Sequence, residues 1–255
     1  MKKAGISTII IVIATFSTWA AHPRIIDSLM NAGNNAYQNG QWHNAINYYT
    51  QIDSAGYQSA NLYYNLGNAF FKNGNKANAL LWYERALRLS PGNEDIEHNI
   101  AFVNQQIIDK MDVLPQIFIV VWWNKLSSTF TSNGWAILSI ICAFVAISAL
   151  LLLLLASHAI LRKTGGTLFL ISFLVGIFTG IFAAREKTRY IRQPEAIITE
   201  KVVSAQSAPT HNGKELFVIH EGLKIAIINY SGSYLEIRLP NGEKGWILAE
   251  AAVVI

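Results

Sequence analysis

The chain has 255 residues, of which 52% are hydrophobic and 14% charged, with a formal net charge of +4. Ordinary soluble domains carry roughly a quarter charged residues, so this composition excludes a wholly water-exposed globular protein. A single cysteine, Cys142, excludes an internal disulfide framework.

Residues 1–21 set Lys2 and Lys3 before an apolar stretch, Ile6 to Phe16, and finish on Ala20 and Ala21. Basic, apolar and small residues in that order read as a secretory signal peptide, cleaved near Ala20, or as a retained signal anchor. Either outcome places the next segment outside the cytoplasm.

Residues 22–112 carry a 34-residue echo in which Gly33, Gly40, Ala45 and Tyr49 recur as Gly67, Gly74, Ala79 and Tyr83. A period of that length signals stacked helical hairpins. Small Gly67 and Ala79 let two helices approach, while Tyr63, Leu66, Phe70 and Tyr83 fill the space between them. Asn73-Gly74-Asn75 gives the internal turn and Ser90-Pro91-Gly92 ends the second helix. The first copy departs at Ile52 and Tyr57, where alanine and proline are expected. These positions are similar to the tetratricopeptide consensus, which implies repeats at 26–59 and 60–93. Ile96, Ile100, Val103 and Ile107 then share one face of a terminal capping helix. In tetratricopeptide proteins the first helix of each repeat lines a concave groove. That resemblance assigns the groove to Met30, Asn34, Tyr37 and Gln38, then Tyr64, Asn65, Asn68, Phe71 and Lys72. Asparagine amides suit a peptide backbone and aromatics bury its side chains. For Tyr37 and Phe71, a place in the core between repeats is the competing reading.

Residues 113–134 hold Ile117 to Trp123, too short to cross a bilayer and rimmed by Trp122, Trp123 and Lys125. A helix lying in the lipid interface is expected, with packing onto the capping helix as the alternative. Residues 135–184 contain two uncharged runs, Ala136 to Ala156 and Thr167 to Ala184, that read as a transmembrane hairpin. The loop between them, Ser157 to Gly166, with Gly165-Gly166 as its turn, is too short to hold a domain. Both soluble segments therefore face one side, the exported one if the signal is obeyed. The charge bias argues weakly, since Arg162 and Lys163 lie in that loop while Arg185, Lys187, Arg189 and Arg192 follow the second run in a basic linker, 185–193. Ser172, Gly176, Gly180 and Ala184 form a small-residue stripe that fits a homodimer seam, another membrane protein, or the neighbouring helix of the same hairpin.

Residues 194–255 change period. Short β-rich runs stand at 196–203, 216–220, 224–230, 234–239, 244–248 and 252–255, punctuated by Pro209, Asn212-Gly213, Ser231-Gly232 and Asn241-Gly242. A small barrel is expected. Phe217, His220-Glu221-Gly222, Ile237 and Gly245-Trp246-Ile247 resemble a bacterial SH3-like domain. Some of these bind cell-wall peptides, which would assign stacking and carboxylate contacts to Tyr230, Tyr234, Arg238 and Trp246. Trp246 in the barrel core is the alternative.

Formal charge divides as +2 for residues 1–21, −2 for 22–112, +6 for 113–193 and −2 for 194–255. Basicity belongs to the membrane flanks, and a nucleic-acid-binding face is excluded. His22, His43, His98, His158, His211 and His220 are scattered, with no paired spacing for a metal. Glu94, Glu97 and His98 share a helix start, where acidic side chains favour the dipole. Nucleophile-elbow and phosphate-loop motifs are absent from the sequence. No enzyme activity, cofactor or metal is expected.

The order of signal, two repeats, capping helix, membrane hairpin and C-terminal SH3-like barrel resembles the BatE family of the bacterial aerotolerance (Bat) operon. The fold class implied is a multidomain membrane protein of all-α tetratricopeptide hairpins, two transmembrane helices and a small all-β barrel. The resemblance further implies an inner-membrane protein with periplasmic domains, a link to oxygen or oxidative-stress tolerance, and von Willebrand A-domain membrane proteins as partners. A membrane-tethered protein-binding scaffold is the expected function. An envelope sensor or peptidoglycan binder acting through the barrel is the alternative.

Overall fold

The computed structural model describes residues 24–111, 117–192, 194–210 and 213–255. The expected signal, residues 1–21, and His211 lie outside the described residues. Helix α1 covers residues 24–38, followed by α2 (Trp42–Ser54), α3 (Ala60–Lys72), α4 (Lys76–Leu89) and α5 (Glu94–Asn104).

Side-chain caps set three of these helices. Ser59 accepts from Leu62 N, Asn75 from Asn78 N and Asn93 from Ile96 N, each satisfying an amide that the helix start leaves open. Gly74 ends the α3–α4 turn with φ +83°, a left-handed conformation that favours glycine. Pairing within each repeat depends on a second glycine property, its missing side chain. A Cβ built on Gly67 would stand 2.5 Å from the Tyr83 ring, and one on Gly33 would meet Tyr49. The tyrosine rings occupy that space, and Tyr49, Ile52, Leu62, Leu66, Ala79 and Ala86 are fully buried beside them. Ile52, where the first repeat departs from expectation, is simply part of the core.

Beyond the repeats come α6 (Phe118–Ser127), α7 (Ser132–Leu155) and α8 (Ala159–Arg192). Ser132–Leu155 and Ala159–Thr188 are long and apolar enough to cross a membrane. Two expectations are corrected here. Gly165 and Gly166 lie inside α8 rather than in a turn, because the reversal is made by residues 156–158. Gly165 instead permits close crossing: its Cβ would fall 2.9 Å from the Ala149 carbonyl oxygen and 2.8 Å from Leu153 N. Residues 185–192, read as a basic linker, continue α8 as helix. Helix α6 packs on the hairpin. Trp123 meets Phe178 and Phe182, Trp135 meets Phe182, and Trp135 Nε1 donates to the Ser127 carbonyl at 2.8 Å. Trp135, at the edge of the first apolar run where interfacial anchors usually stand, is instead buried.

The C-terminal region forms one antiparallel sheet from β1 (Glu195–Ile198), β2 (Val202–Gln206), β3 (Glu215–His220), β4 (Lys224–Ser231), β5 (Tyr234–Arg238), β6 (Lys244–Leu248) and β7 (Ala252–Val254). The run expected at 196–203 divides into β1 and β2. Strand order is β3-β2-β6-β5-β4-β1-β7, so the sheet has two ends and the expected closed barrel is not formed. Its β1–β7 end lies on the repeats instead. Ile197, Val253 and Ile255 join the repeat core, while Ala196, Ile198 and Ala252 face the sheet core. Alternation along a strand permits this, because successive side chains point to opposite faces.

Polar contacts ring that junction. Lys224 Nζ stands 2.9 Å from Glu84 and 3.0 Å from Glu195, Arg85 donates to the Val254 carbonyl at 2.9 Å, and Arg88 donates to that of Ile255. His220 meets Asp109 at 2.9 Å through its ring and also donates its backbone N–H to the same carboxylate. Burial pulls the Lys224 pKa down, but the two carboxylates and their hydrogen bonds outweigh it and leave the pKa raised. A raised lysine stabilises the fold at all pH values below its unfolded pKa, and that contribution is lost as pH rises through the folded value.

Two outcomes are expected. Gly67→Ala forces the Tyr83 ring to move and lowers stability by about 1–3 kcal/mol, the usual cost of overpacking, measured by denaturant unfolding in detergent. The difference in Tm between wild type and Lys224→Met stays constant near neutral pH and shrinks above about pH 10.5, where the ammonium loses its proton.

Candidate functional site

The concave face is built by α1 and α3 with α5 beside them, and a chain of amides and phenols runs across it. Tyr49 Oη donates to Asn34 Oδ1 at 2.7 Å, and Asn65 Nδ2 reaches the same oxygen at 3.3 Å. One repeat later, Tyr83 Oη donates to Asn68 Oδ1 at 2.7 Å and Asn99 Nδ2 reaches it at 3.2 Å. The three residues Asn34, Tyr49 and Asn65 thus recur at a spacing of 34 as Asn68, Tyr83 and Asn99. Asn99 also donates to Tyr64 Oη at 3.1 Å. Helix α5 therefore occupies the place of a third first helix, although Ala101 replaces the glycine of the motif.

These bonds decide which groups remain for a ligand. Asn34 and Asn68 spend their oxygens, so the Nδ2 donors of both meet no partner among the described residues. Asn65 and Asn99 spend their nitrogens, and their Oδ1 acceptors are likewise unengaged there. Donors and acceptors in one row match the alternating N–H and C=O groups of an extended chain. A cavity of about 130 Å³ opens between them, lined by Asn34, Tyr37, Gln38, Tyr49, Asn65 and Asn68.

The phenols are held neutral. Burial, reinforced by Tyr37, pushes Tyr49 up to about 12. Burial also raises Tyr83, with smaller contributions from Tyr64 and Tyr37, and it raises Tyr37. Each hydroxyl therefore keeps its proton and its donor role at any physiological pH.

Aromatic pairs flank the polar row. Tyr37 stands edge-on to Trp42 at 4.9 Å, Tyr64 tilts against Tyr83 at 5.8 Å, and Phe71 meets Phe102 edge-on at 5.7 Å. Met30 is half-buried against the repeat core, whereas Gln38 and Lys72 are exposed at the rim. Tyr37 and Phe71 each serve both readings, being half-buried against the core while facing an aromatic neighbour. Tyr49, Asn99 and Phe102 were not foreseen as groove residues. The period could have found two of them, since Asn99 follows Asn65, and Phe102 follows Asn68, by 34.

The other expected residues lie apart. On β5, Tyr234 and Arg238 share a face with Trp246, which stands opposite Glu236. Tyr234 is buried, Trp246 half-buried and Arg238 exposed. Tyr230 pairs with Leu235, one position out of step with that face. In the hairpin, Gly176 lies against Cys142, Gly180 lies against Ser139, and Ser139 Oγ donates to the Gly176 carbonyl at 3.0 Å. The small-residue stripe is thus occupied at its centre by α7, with Ser172 half-buried and Ala184 exposed at its two ends.

Comparison with known proteins agrees with the repeat geometry. Residues 30–94 match the profile of the tetratricopeptide repeat family. They are tetratricopeptide repeats. The match runs from within α1 to the start of α5 and so includes both Asn–Tyr pairs. No curated protein matches the chain.

The ladder should be measurable as stability. Asn68→Ala strands the buried Tyr83 hydroxyl and is expected to cost about 1–3 kcal/mol. Tyr83→Phe in the same background should recover part of that loss, and Gln38→Ala at the rim should change the unfolding free energy by under about 0.5 kcal/mol.

Proposed function

We propose that the chain is a membrane-tethered, non-catalytic scaffold of the bacterial envelope, whose tetratricopeptide groove holds an extended segment of a partner protein. Tetratricopeptide repeats point to protein partners. The observation that carries the finer reading is the row of unspent amide groups between aromatic pairs. Asn34 and Asn68 would donate to main-chain carbonyls of the partner, Asn65 and Asn99 would accept from its amides, and Phe71 with Phe102 would receive an apolar side chain. Because tyrosines already fix the amides, little rotamer entropy is lost on binding.

The tether is inferred from two helices of 24 and 30 residues whose apolar surfaces are mostly uncovered. Ile117 at the start of α6, and Phe118, Ile119 and Trp122 on it, are also exposed, which suits a helix lying in the lipid interface beside the hairpin. Periplasmic placement rests on the signal-like residues 1–21. The BatE resemblance, by extension, nominates von Willebrand A-domain membrane proteins as partners and oxidative-stress tolerance as the setting. These remain part of the proposal.

The test is a crosslinked membrane pull-down comparing wild type with Phe71→Ala, Phe102→Ala. These side chains are partly exposed and hold no ladder bond, so the variant should fold, whereas asparagine substitutions would disturb the repeats themselves. Carbonate extraction on the same membranes reports insertion. The reading expects both proteins in the pellet and specific partners lost by at least about tenfold from the variant. Recovery of the same partners at wild-type yield, or of cell-wall fragments alone, would move the function to the sheet.

A further inference from the structure

A second cavity, of about 170 Å³, lies where the repeats, the hairpin end and the sheet meet. That is room for about five or six waters. Glu84, Glu97, Glu186 and Glu195 line it together with Arg88 and Lys224, leaving a formal excess of two negative charges. The cations are committed, since Lys224 bridges Glu84 and Glu195 while Arg88 lies 4.0 Å from Glu195 and donates to the Ile255 carbonyl. Glu97 and Glu186 have no ion-pair partner among the described residues.

Glu186 is the informative member. It is only 5% exposed, one oxygen accepts from Ser127 Oγ, and Oε2 meets no donor among the described residues. Its neighbour Arg185 donates through Nη2 to Asn124 at 2.6 Å and lies over the Trp123 ring, while its buried Nη1 meets no partner, Glu186 included, among the described residues. A buried carboxylate without a counter-charge is costly, and a cation in the adjoining cavity would relieve that cost. The donor set disfavours a metal ion, because no group of three or more His, Cys, Asp or Glu among the described residues could hold one. Leu87, Pro91 and Phe130 instead supply an apolar wall, and Ser128 and Thr131 supply hydroxyls. That combination fits an ammonium on a short carbon stem, with carboxylates and hydroxyls accepting from its N–H donors and apolar side chains lying against the stem.

We propose that this cavity binds a primary ammonium group seated between Glu186 and Glu97. Two sources share that chemistry, the ethanolamine headgroup of a phospholipid and a free small amine. The lipid source rests on the membrane reading above, since Ser128 and Thr131 sit at the end of the hairpin where headgroups would lie. The free-amine source does not.

The full-length protein in detergent is examined by native mass spectrometry with equal phosphatidylethanolamine and phosphatidylcholine, and by titration with ethanolamine. The expected result is about tenfold preference for phosphatidylethanolamine, as befits a charge-assisted contact, abolished in Glu186→Gln and in Glu97→Gln. Glu97→Gln, at an exposed position on α5, keeps the test readable if the buried variant fails to fold. Saturable ethanolamine binding that both variants lose, without a lipid preference, assigns the cavity to a soluble amine. Equal retention of both lipids with no ethanolamine binding, or a preference that both variants keep, overturns the proposal. Carbonate extraction reports separately on the tether, so a failure of insertion is not confused with an empty cavity.

Discussion

Everything in the repeat module follows from how closely each glycine lets a tyrosine approach. With hydrogen at Gly33 and Gly67, the Tyr49 and Tyr83 rings lie flat against α1 and α3, and their hydroxyls emerge on the concave side. There they seize Asn34 and Asn68, and the next helix contributes Asn65 or Asn99 to the same oxygen. A packing constraint in the core thus becomes an oriented set of amides on the surface. A larger residue at either glycine would displace the ring, release the amide and blur the groove at once. Core and proposed recognition surface are therefore one mechanism, and the hydrogen bonds to neutral, buried phenols make it insensitive to pH across the physiological range.

The second organising device is β1, which contributes to two cores. Ile197 enters the repeats while Ala196 and Ile198 enter the sheet, so neither module has a solvent-separated boundary at this point. Gly222 fits the same junction, since a side chain there would collide with Ile107. The ion pairs around Lys224 sit at the margin of this apolar contact. Pairs of that kind add modestly to stability, so burial of Ile197, Val253 and Ile255 carries most of the attachment.

Much of the helical half was legible because its signals are local. The 34-residue period and its small residues at 33, 67 and 79 act between helices adjacent in sequence, and Asn75 acts within one turn. What was missed depended on partners distant in sequence. Gly165-Gly166 reads as a turn because two glycines usually break a helix, yet Ala149 and Leu153 lie across from Gly165 and use the space. Trp135 reads as an interfacial anchor, yet Trp123 and Phe182 enclose it from α6 and α8. The barrel failed for a similar reason. Strand composition announces a small sheet, but nothing local announces that its last edge will rest on α4. In the groove, the asparagines were legible as polar residues on a helix face. Their division into spent and unspent ends was not, because it is set by the tyrosines of the opposite helix.

Helix α8 runs 34 residues without interruption, about 50 Å at 1.5 Å per residue, and β1 begins three residues after it ends. Two residues, 193 and 194, stand between the rod and the strand that is rooted in both cores. Torque applied to the hairpin is thereby delivered to the repeats and sheet together. Tilting such a rod by 10° about one end sweeps the other through roughly 9 Å, a displacement larger than a helix pitch. On the proposed reading, a tilt of the hairpin in a bilayer is thereby passed, amplified, to the partner segment held on the concave face.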